Sequence, residues 1–207
     1  VILMKKLLLL GALVSSIAMA DVIEVRVGGD LTNRATFKDT DNQNWKINDD
    51  ALKNGFEITG EYRTPIAENL EIGGGISYKF NKLSNKNYSG LTMKGINSVP
   101  IFFTTRYNFK NASEITPYVK GNLGLAITSG KVESKNILAD ESLKFESGIY
   151  YGIGTGLQYK NFVADLSYNV NTMKTKYSFN MPGYKEEGKF NTNHGTLTLG
   201  VGYSFGL

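Results

Sequence analysis

His194-Gly-Thr-Leu-Thr-Leu-Gly-Val-Gly-Tyr-Ser-Phe205, HGTLTLGVGYSF, decides the fold. Leu197, Leu199, Val201, Tyr203 and Phe205 share one parity, while Thr196, Thr198, Gly200, Gly202 and Ser204 share the other. Side chains alternate between the two faces of a strand, so this segment has one oily face and one small, polar face.

Seven earlier segments repeat the pattern. Ile23–Leu31 sets Ile23, Val25 and Val27 against Glu24, Arg26 and Gly28. Gly55–Arg63, Leu70–Phe80, Ser98–Phe109, Tyr118–Thr128, Gly148–Lys160 and Phe162–Asn171 alternate likewise. The links between them are short and long by turns. Short turns are expected around Pro65, before Pro117 and at Lys160-Asn161, the last a two-residue hairpin. The long links, near 32–54, 81–97, 129–147 and 172–193, read as polar loops. Pro100 has no N–H to give a ladder, which places it near a strand start or at a bulge.

Eight alternating runs of 9 to 13 residues, with no long apolar run after the N-terminus, predict an all-β fold. The expected architecture is an eight-stranded antiparallel up-and-down transmembrane β-barrel. A soluble lipocalin-type barrel has the same period with the oily face inside. The oily parity carries more bulk than an eight-stranded lumen holds, whereas the other parity is rich in glycine, as at Gly152, Gly154 and Gly156. Outward aromatics gather at both segment ends, Tyr62, Tyr107, Phe109, Tyr159, Phe162 and Phe205 at one and Phe56, Tyr78, Phe80, Tyr151 and Tyr168 at the other. Two such girdles mark membrane interfaces.

The chain begins with Lys5 and Lys6, an apolar run, and Ala18-Met19-Ala20 before Asp21. This reads as a secretory signal peptide over residues 1–20, with Met4 as its start and cleavage after Ala20. An uncleaved anchor would need a longer apolar run. The barrel domain is then 21–207. The chain has no cysteine, which excludes disulfides and thiolate metal sites. Its net charge of +4 falls by two when the signal leaves, so nothing points to nucleic acid.

The end of the chain resembles the C-terminal assembly signal of bacterial outer-membrane barrels, with Thr198, Gly200, Tyr203 and Phe205 at its polar, glycine, hydrophobic and aromatic positions. Together with the eight segments and the signal peptide, it makes the chain similar to the OmpA/OmpX-like superfamily of small outer-membrane barrels. That resemblance implies a Gram-negative outer-membrane location, periplasmic short turns and chain ends, and recognition by the barrel-assembly machinery. It implies no particular activity, because the superfamily includes anchors, adhesins, small channels and lipid-modifying enzymes.

The inward parity collects charge. Arg26, Glu61, Arg63, Glu71, Arg106, Lys120 and Asp165 fall toward the short-turn end and with Glu24 make an expected lumen charge network, while Asp30, Glu57 and Lys79 share the inward parity. Buried charges must pair or be wet, so a salt-bridge plug is expected, and a narrow gated pore is the alternative. His194, the only histidine, reads as a rim residue, although the superfamily's lipid A-modifying enzymes use such groups. Asp39, Asp41, Gln43 and Asp50 match a calcium loop only loosely, since Asn44 stands where glycine is needed. No metal, cofactor or catalytic residue is expected.

The long links hold Lys82, Lys86, Lys94, Lys174, Lys176, Lys185 and Lys189, suited to anionic lipopolysaccharide. They also hold Trp45, Tyr88, Leu91, Ile137, Leu138, Phe179 and Tyr184, which could anchor a host or cell-surface ligand. The expected function is structural or adhesin-like, exerted through four extracellular loops by a non-enzymatic monomer. A porin-like channel is the alternative, and a lipid A-modifying enzyme comes third.

Overall fold

In the computed structural model the described residues are 21–38, 44–47, 55–81, 91–93, 96–129, 131–136, 139–181 and 184–207. The expected signal peptide and its cleavage site lie outside them.

Eight long strands form the wall: β1 (Val22–Lys38), β2 (Phe56–Ala67), β3 (Leu70–Asn81), β4 (Ile96–Asn108), β5 (Ile115–Ser129), β6 (Gly148–Tyr159), β7 (Phe162–Met181) and β8 (Tyr184–Gly206). Each pairs antiparallel with the next. The quoted C-terminal stretch closes the ring, because β8 pairs with β1 from Val22↔Gly206 to Lys38↔Asn191. The fold is therefore the expected eight-stranded up-and-down barrel, and every wall strand has a partner on both edges.

Alternation sorts the side chains as expected. Leu199, Val201, Tyr203 and Phe205 point outward, as do Leu123, Leu125, Ile127 and Ile153, and all are exposed. Glu24, Arg26, Thr104, Arg106, Lys120 and Asp165 are buried inside. A water-soluble barrel would bury the first set and expose the second, so the outer surface is built for hydrocarbon. Both sets of girdle aromatics are exposed at the barrel's two ends.

Several local expectations are corrected. The turn placed at Pro65 lies at Glu68-Asn69, and the strand runs past Pro65 through an irregularity between Pro65 and Ala67. Pro117 belongs to β5, paired with Leu157, and the turn precedes Ile115. Proline can sit there because its carbonyl still accepts the Phe109 N–H at 2.8 Å. At Pro100 the ladder to β3 lapses opposite Ser77-Tyr78, where no N–H is available to pair. Val170 is buried despite its outward parity. A bulge at Leu31 shifts the β1 register and turns Asn33 inward. Lys160, at φ 53°, makes the expected two-residue turn between Tyr159 and Phe162.

The largest correction concerns the polar links. The chain over 172–193 continues β7 and β8 as one ladder up to Met181↔Tyr184. Lys131–Asn136 and Ala139–Glu146 form a second hairpin on the β7 edge, and Leu91–Met93 pairs with it. β1 also extends to Lys38 and pairs with Asn44–Ile47. Beyond the hydrocarbon the outer face of a hairpin meets water, so pairing persists while the outer residues turn polar and the oily/polar alternation that reveals strands is lost, although Met173, Thr175 and Thr192 stay buried inside.

The lumen is filled to the wall. A Cβ at Gly156 would lie 2.5 Å from the Tyr118 hydroxyl oxygen and 2.5 Å from the Ala164 carbonyl oxygen. Outward-facing Gly60 has nothing within 4 Å of its Cβ position. Gly156→Ala is therefore expected to destabilise the barrel by about 1–3 kcal/mol through overpacking, and Gly60→Ala to stay within about 0.5 kcal/mol. Urea midpoints of both variants in lipid vesicles, read by heat-shifted gel mobility, check the contrast.

Candidate functional site: the charged lumen

The register creates two electrostatic conflicts. Glu24 of β1 stands directly opposite Glu61 of β2. Arg106 of β4 stands directly opposite Lys120 of β5. Like charges in such positions repel, and with both strands fixed in the wall the relief must come from other inward side chains.

Three arginines provide it for the glutamates, and Glu24 and Asp165 provide it for Arg106 and Lys120. Arg26 reaches both Glu24 and Glu61, with Asp165 3.4 Å away. Arg63 donates to Glu24 at 2.6 Å, to Glu61 at 2.5 Å and to Glu71 at 2.9 Å. From the far wall, Arg106 Nη1 donates to Glu24 Oε2 at 3.0 Å. Lys120 pairs with Asp165. The structure thus joins all eight charged residues singled out in the sequence into one neutral cluster of four acids and four bases. Glu24 is its hub, contacting Arg26, Arg63 and Arg106 while only 1% exposed.

Neutral groups complete the cluster. Arg106 donates from Nε to Asn108 Oδ1 at 2.7 Å and from Nη2 to Gln158 Oε1 at 2.5 Å. Asn108 passes a hydrogen bond to Glu71 at 2.6 Å. The Arg106 guanidinium carbon lies 3.6 Å from the centroid of the fully buried Tyr118 ring, a cation–π contact. Sequence reasoning missed Asn108, Tyr118 and Gln158 as partners. Parity alone put all three inside, and matching their height to Arg106 would have found them.

Above this layer Phe102 and Tyr150 pack at 5.3 Å between centroids, with Ala126 completing a small apolar cluster. Higher still, Lys79 lies 3.1 Å from Asp30 and 3.5 Å from Glu57, and donates to Thr196 at 2.5 Å. A cavity of about 20 Å³ between the layers touches Glu57, Asn122, Asn169, Lys120 and Asp165. That is space for about one water. Asn122 Oδ1 and Asn169 Oδ1 are buried acceptors with no hydrogen bond, and Glu57 Oε2 has only the Lys79 ammonium at 3.5 Å, which suits all three to ordered water.

His194 is buried inside rather than set on the rim, with Nε2 3.2 Å from Asn33 Oδ1. Among the described residues no group of three or more His, Cys, Asp or Glu is arranged to hold a metal. Most of the loosely calcium-like stretch, including Asp39, Asp41, Gln43 and Asp50, lies outside the described residues. The assembly-signal residues sit on the closing strand, where Thr198 faces inward and donates to Asp30 at 2.7 Å while Tyr203 and Phe205 face outward.

A closed ring with an apolar exterior and a charged, packed interior has one setting. The sequence matches the outer membrane protein beta-barrel domain over residues 7–205. The chain belongs to that family, and its place is the bacterial outer membrane.

An uncharacterised protein of Pasteurella multocida strain Pm70 is 31% identical over 127 residues, 53% of this chain and 50% of that protein. The chain thus matches only about half the length of this curated relative. Among solved structures, Ail, the attachment invasion locus protein of Yersinia pestis, aligns with a TM-score of 0.51 and 18% identity over 90% of this chain and 100% of that one. OprG of Pseudomonas aeruginosa aligns at 0.53 and 14% over 91% and 96%. At these identities the likeness is one of fold.

Glu24→Gln leaves three buried guanidiniums short of a counter-charge, and breaking buried pairs in this way costs about 3–5 kcal/mol. Glu71→Gln, at the more open edge of the cluster, should cost clearly less. Urea unfolding in vesicles separates the two, and equal losses would disprove the hub role of Glu24.

Proposed function

We propose that this protein is a non-enzymatic barrel whose lumen is structural and whose work is done by its long hairpins at the cell surface. In this reading the short turns and the start and end of the barrel face the periplasm, and the assembly machinery reads Thr198, Gly200, Tyr203 and Phe205 on the closing strand. The hairpins then form a surface for contact with other cells, an adhesin-like role.

The observation that carries this reading is the contrast between the two parts of the molecule. Inside, the cluster satisfies its charges among its own side chains, and the cavity above it holds about 20 Å³. Outside, β7 and β8 continue as paired strands well past the Tyr168 girdle, flanked by the Lys131–Glu146 hairpin. Material built beyond the membrane serves contact rather than anchoring. Ail, named for attachment and invasion, has a similar fold.

The channel reading rests on one feature, that Arg26 has Asp165 as a third acid within 3.4 Å and could exchange partners. In planar bilayers the folded wild-type protein is expected to be silent. Discrete conductance steps that change in Glu61→Ala or Arg106→Ala would replace the plug with a gated pore. Cells expressing the protein should keep unaltered lipid A; alteration that disappears in His194→Ala would instead indicate a lipid-modifying enzyme. Protease added to intact cells should cut within 172–193 and spare the short turns, and the reverse pattern would invert the orientation.

A further inference from the structure

Above the barrel, register brings together lysines that are far apart in sequence. Lys189 of β8 is the cross-strand partner of Lys176 of β7. Lys176 is in turn the partner of Lys144, and Lys144 of Lys131. Four lysine positions thus make one row across four neighbouring strands, about 14 Å wide at ~4.8 Å per strand. Like charges directly opposite destabilise an antiparallel pair, and here three such oppositions follow one another.

The strands have no freedom to slip out of this arrangement. β7 and β8 keep one unbroken register from Phe162↔Tyr203 at the short turn to Met181↔Tyr184 at the top. A one-residue shift would turn the membrane-facing residues of the slipped strand inward. The wall below therefore imposes the opposition of Lys176 and Lys189, and the 131–146 hairpin extends it to Lys144 and Lys131.

Lys176 shares the outward parity of Leu166 and Tyr168, whereas Met173 and Thr175 turn inward and are buried. Lys144 and Lys189 are exposed, and Lys176 is partly so. One carboxylate of the chain already sits at the row: Glu146 pairs with Lys176. That hydrogen bond, with the charges of Lys176, Lys144 and Lys189 around it, holds the Glu146 carboxyl below its ordinary value. The lysines therefore converge on an anion, and one carboxylate does not balance them. With the same-face neighbours Lys174, Glu133 and Glu187 included, five lysine positions stand against three glutamate positions.

We propose that this row binds phosphate groups on the sugar head of the lipopolysaccharide packed beside the barrel. Its outward parity aims it sideways over the leaflet rather than into the lumen. Lys176 is eight residues beyond Tyr168. At ~3.3 Å per residue and a tilt near 45°, that is roughly 18 Å above the girdle, the level of a sugar head rather than of acyl chains. Basic side chains near an anionic membrane surface are each favourable, and a phosphate could be shared by adjacent lysines one strand apart. The proposal goes beyond cell contact, although it rests on the surface placement of the hairpins given above.

The test titrates the full chain, refolded in zwitterionic detergent, with delipidated phosphorylated core oligosaccharide. Dephosphorylated core and heparin are parallel arms. Orientation plays no part in this format, so its failure is distinct from failure of the surface reading, which the protease experiment addresses. The expected result is salt-sensitive, phosphate-dependent binding that K144Q/K176Q/K189Q weakens on the order of a hundredfold, the effect of three such charges. Glu146→Gln removes the competing carboxylate and should tighten binding, which keeps the proposal testable if the triple variant does not fold. No binding by the wild-type chain, equal binding of dephosphorylated core, or undiminished binding by a folded triple variant overturns it. Row-dependent binding of heparin without binding of core overturns the assignment to lipid of the same leaflet.

Discussion

Hydrocarbon offers no partner to a backbone N–H or C=O, and everything else in this molecule follows from the way the chain meets that constraint. Its answer is the ladder between β1 and β8, which joins the two ends of the described chain and removes the last open edges. Closure makes an inside, and with only eight strands the inside is barely wide enough for side chains. Alternation then sends half of every strand into that narrow space. Glycine and small polar residues on the inner parity are thus a packing requirement, seen where Gly156 gives room to Tyr118 and Gly75 to Phe102.

The charges inside answer a second constraint, which closure creates. Once register sets Glu24 against Glu61 and Arg106 against Lys120, neither pair can move apart, because both are fixed in the wall. Relief comes from long forked side chains: Arg26 and Arg63 flank the two glutamates on the same pair of strands, and Arg106 reaches Glu24 from across the lumen. The outcome couples β1 to β2, β4 and β7 through side chains as well as through neighbouring ladders. The lysine row above the membrane is the same kind of register-imposed conflict without an internal solution of equal strength. Inside, like charges are neutralised by the chain itself, whereas outside, Glu146 answers only part of the charge.

The hairpins show how far strand pairing outlasts its own sequence signal. Within the membrane the two faces of a strand meet different surroundings, so the sequence must alternate. Above it the outer face meets water, so Lys174, Lys176 and Ser178 stand where the membrane would demand oily residues, although all are paired on both edges. The ladder continues because the register is already set by the residues below.

Sequence alone determined the barrel, its strand count, most of the inward and outward parities and which charged residues lie in the lumen, because membrane and lumen impose opposite chemistries at a two-residue period. From the order of residues along β1, β2 and β4 it could be read that Glu24, Glu61, Arg63 and Arg106 lie inside at the same end. Tertiary structure alone decided which acid meets which base, that Glu24 is the hub, that Tyr118 lies under Arg106, and that His194 is buried against Asn33. It also decided that the polar links are paired hairpins and that Lys131, Lys144, Lys176 and Lys189 form a row. Periodicity fixes the face a residue occupies and its height along its own strand. Which residues stand opposite one another depends on register between strands distant in sequence, and only the closed ring sets it.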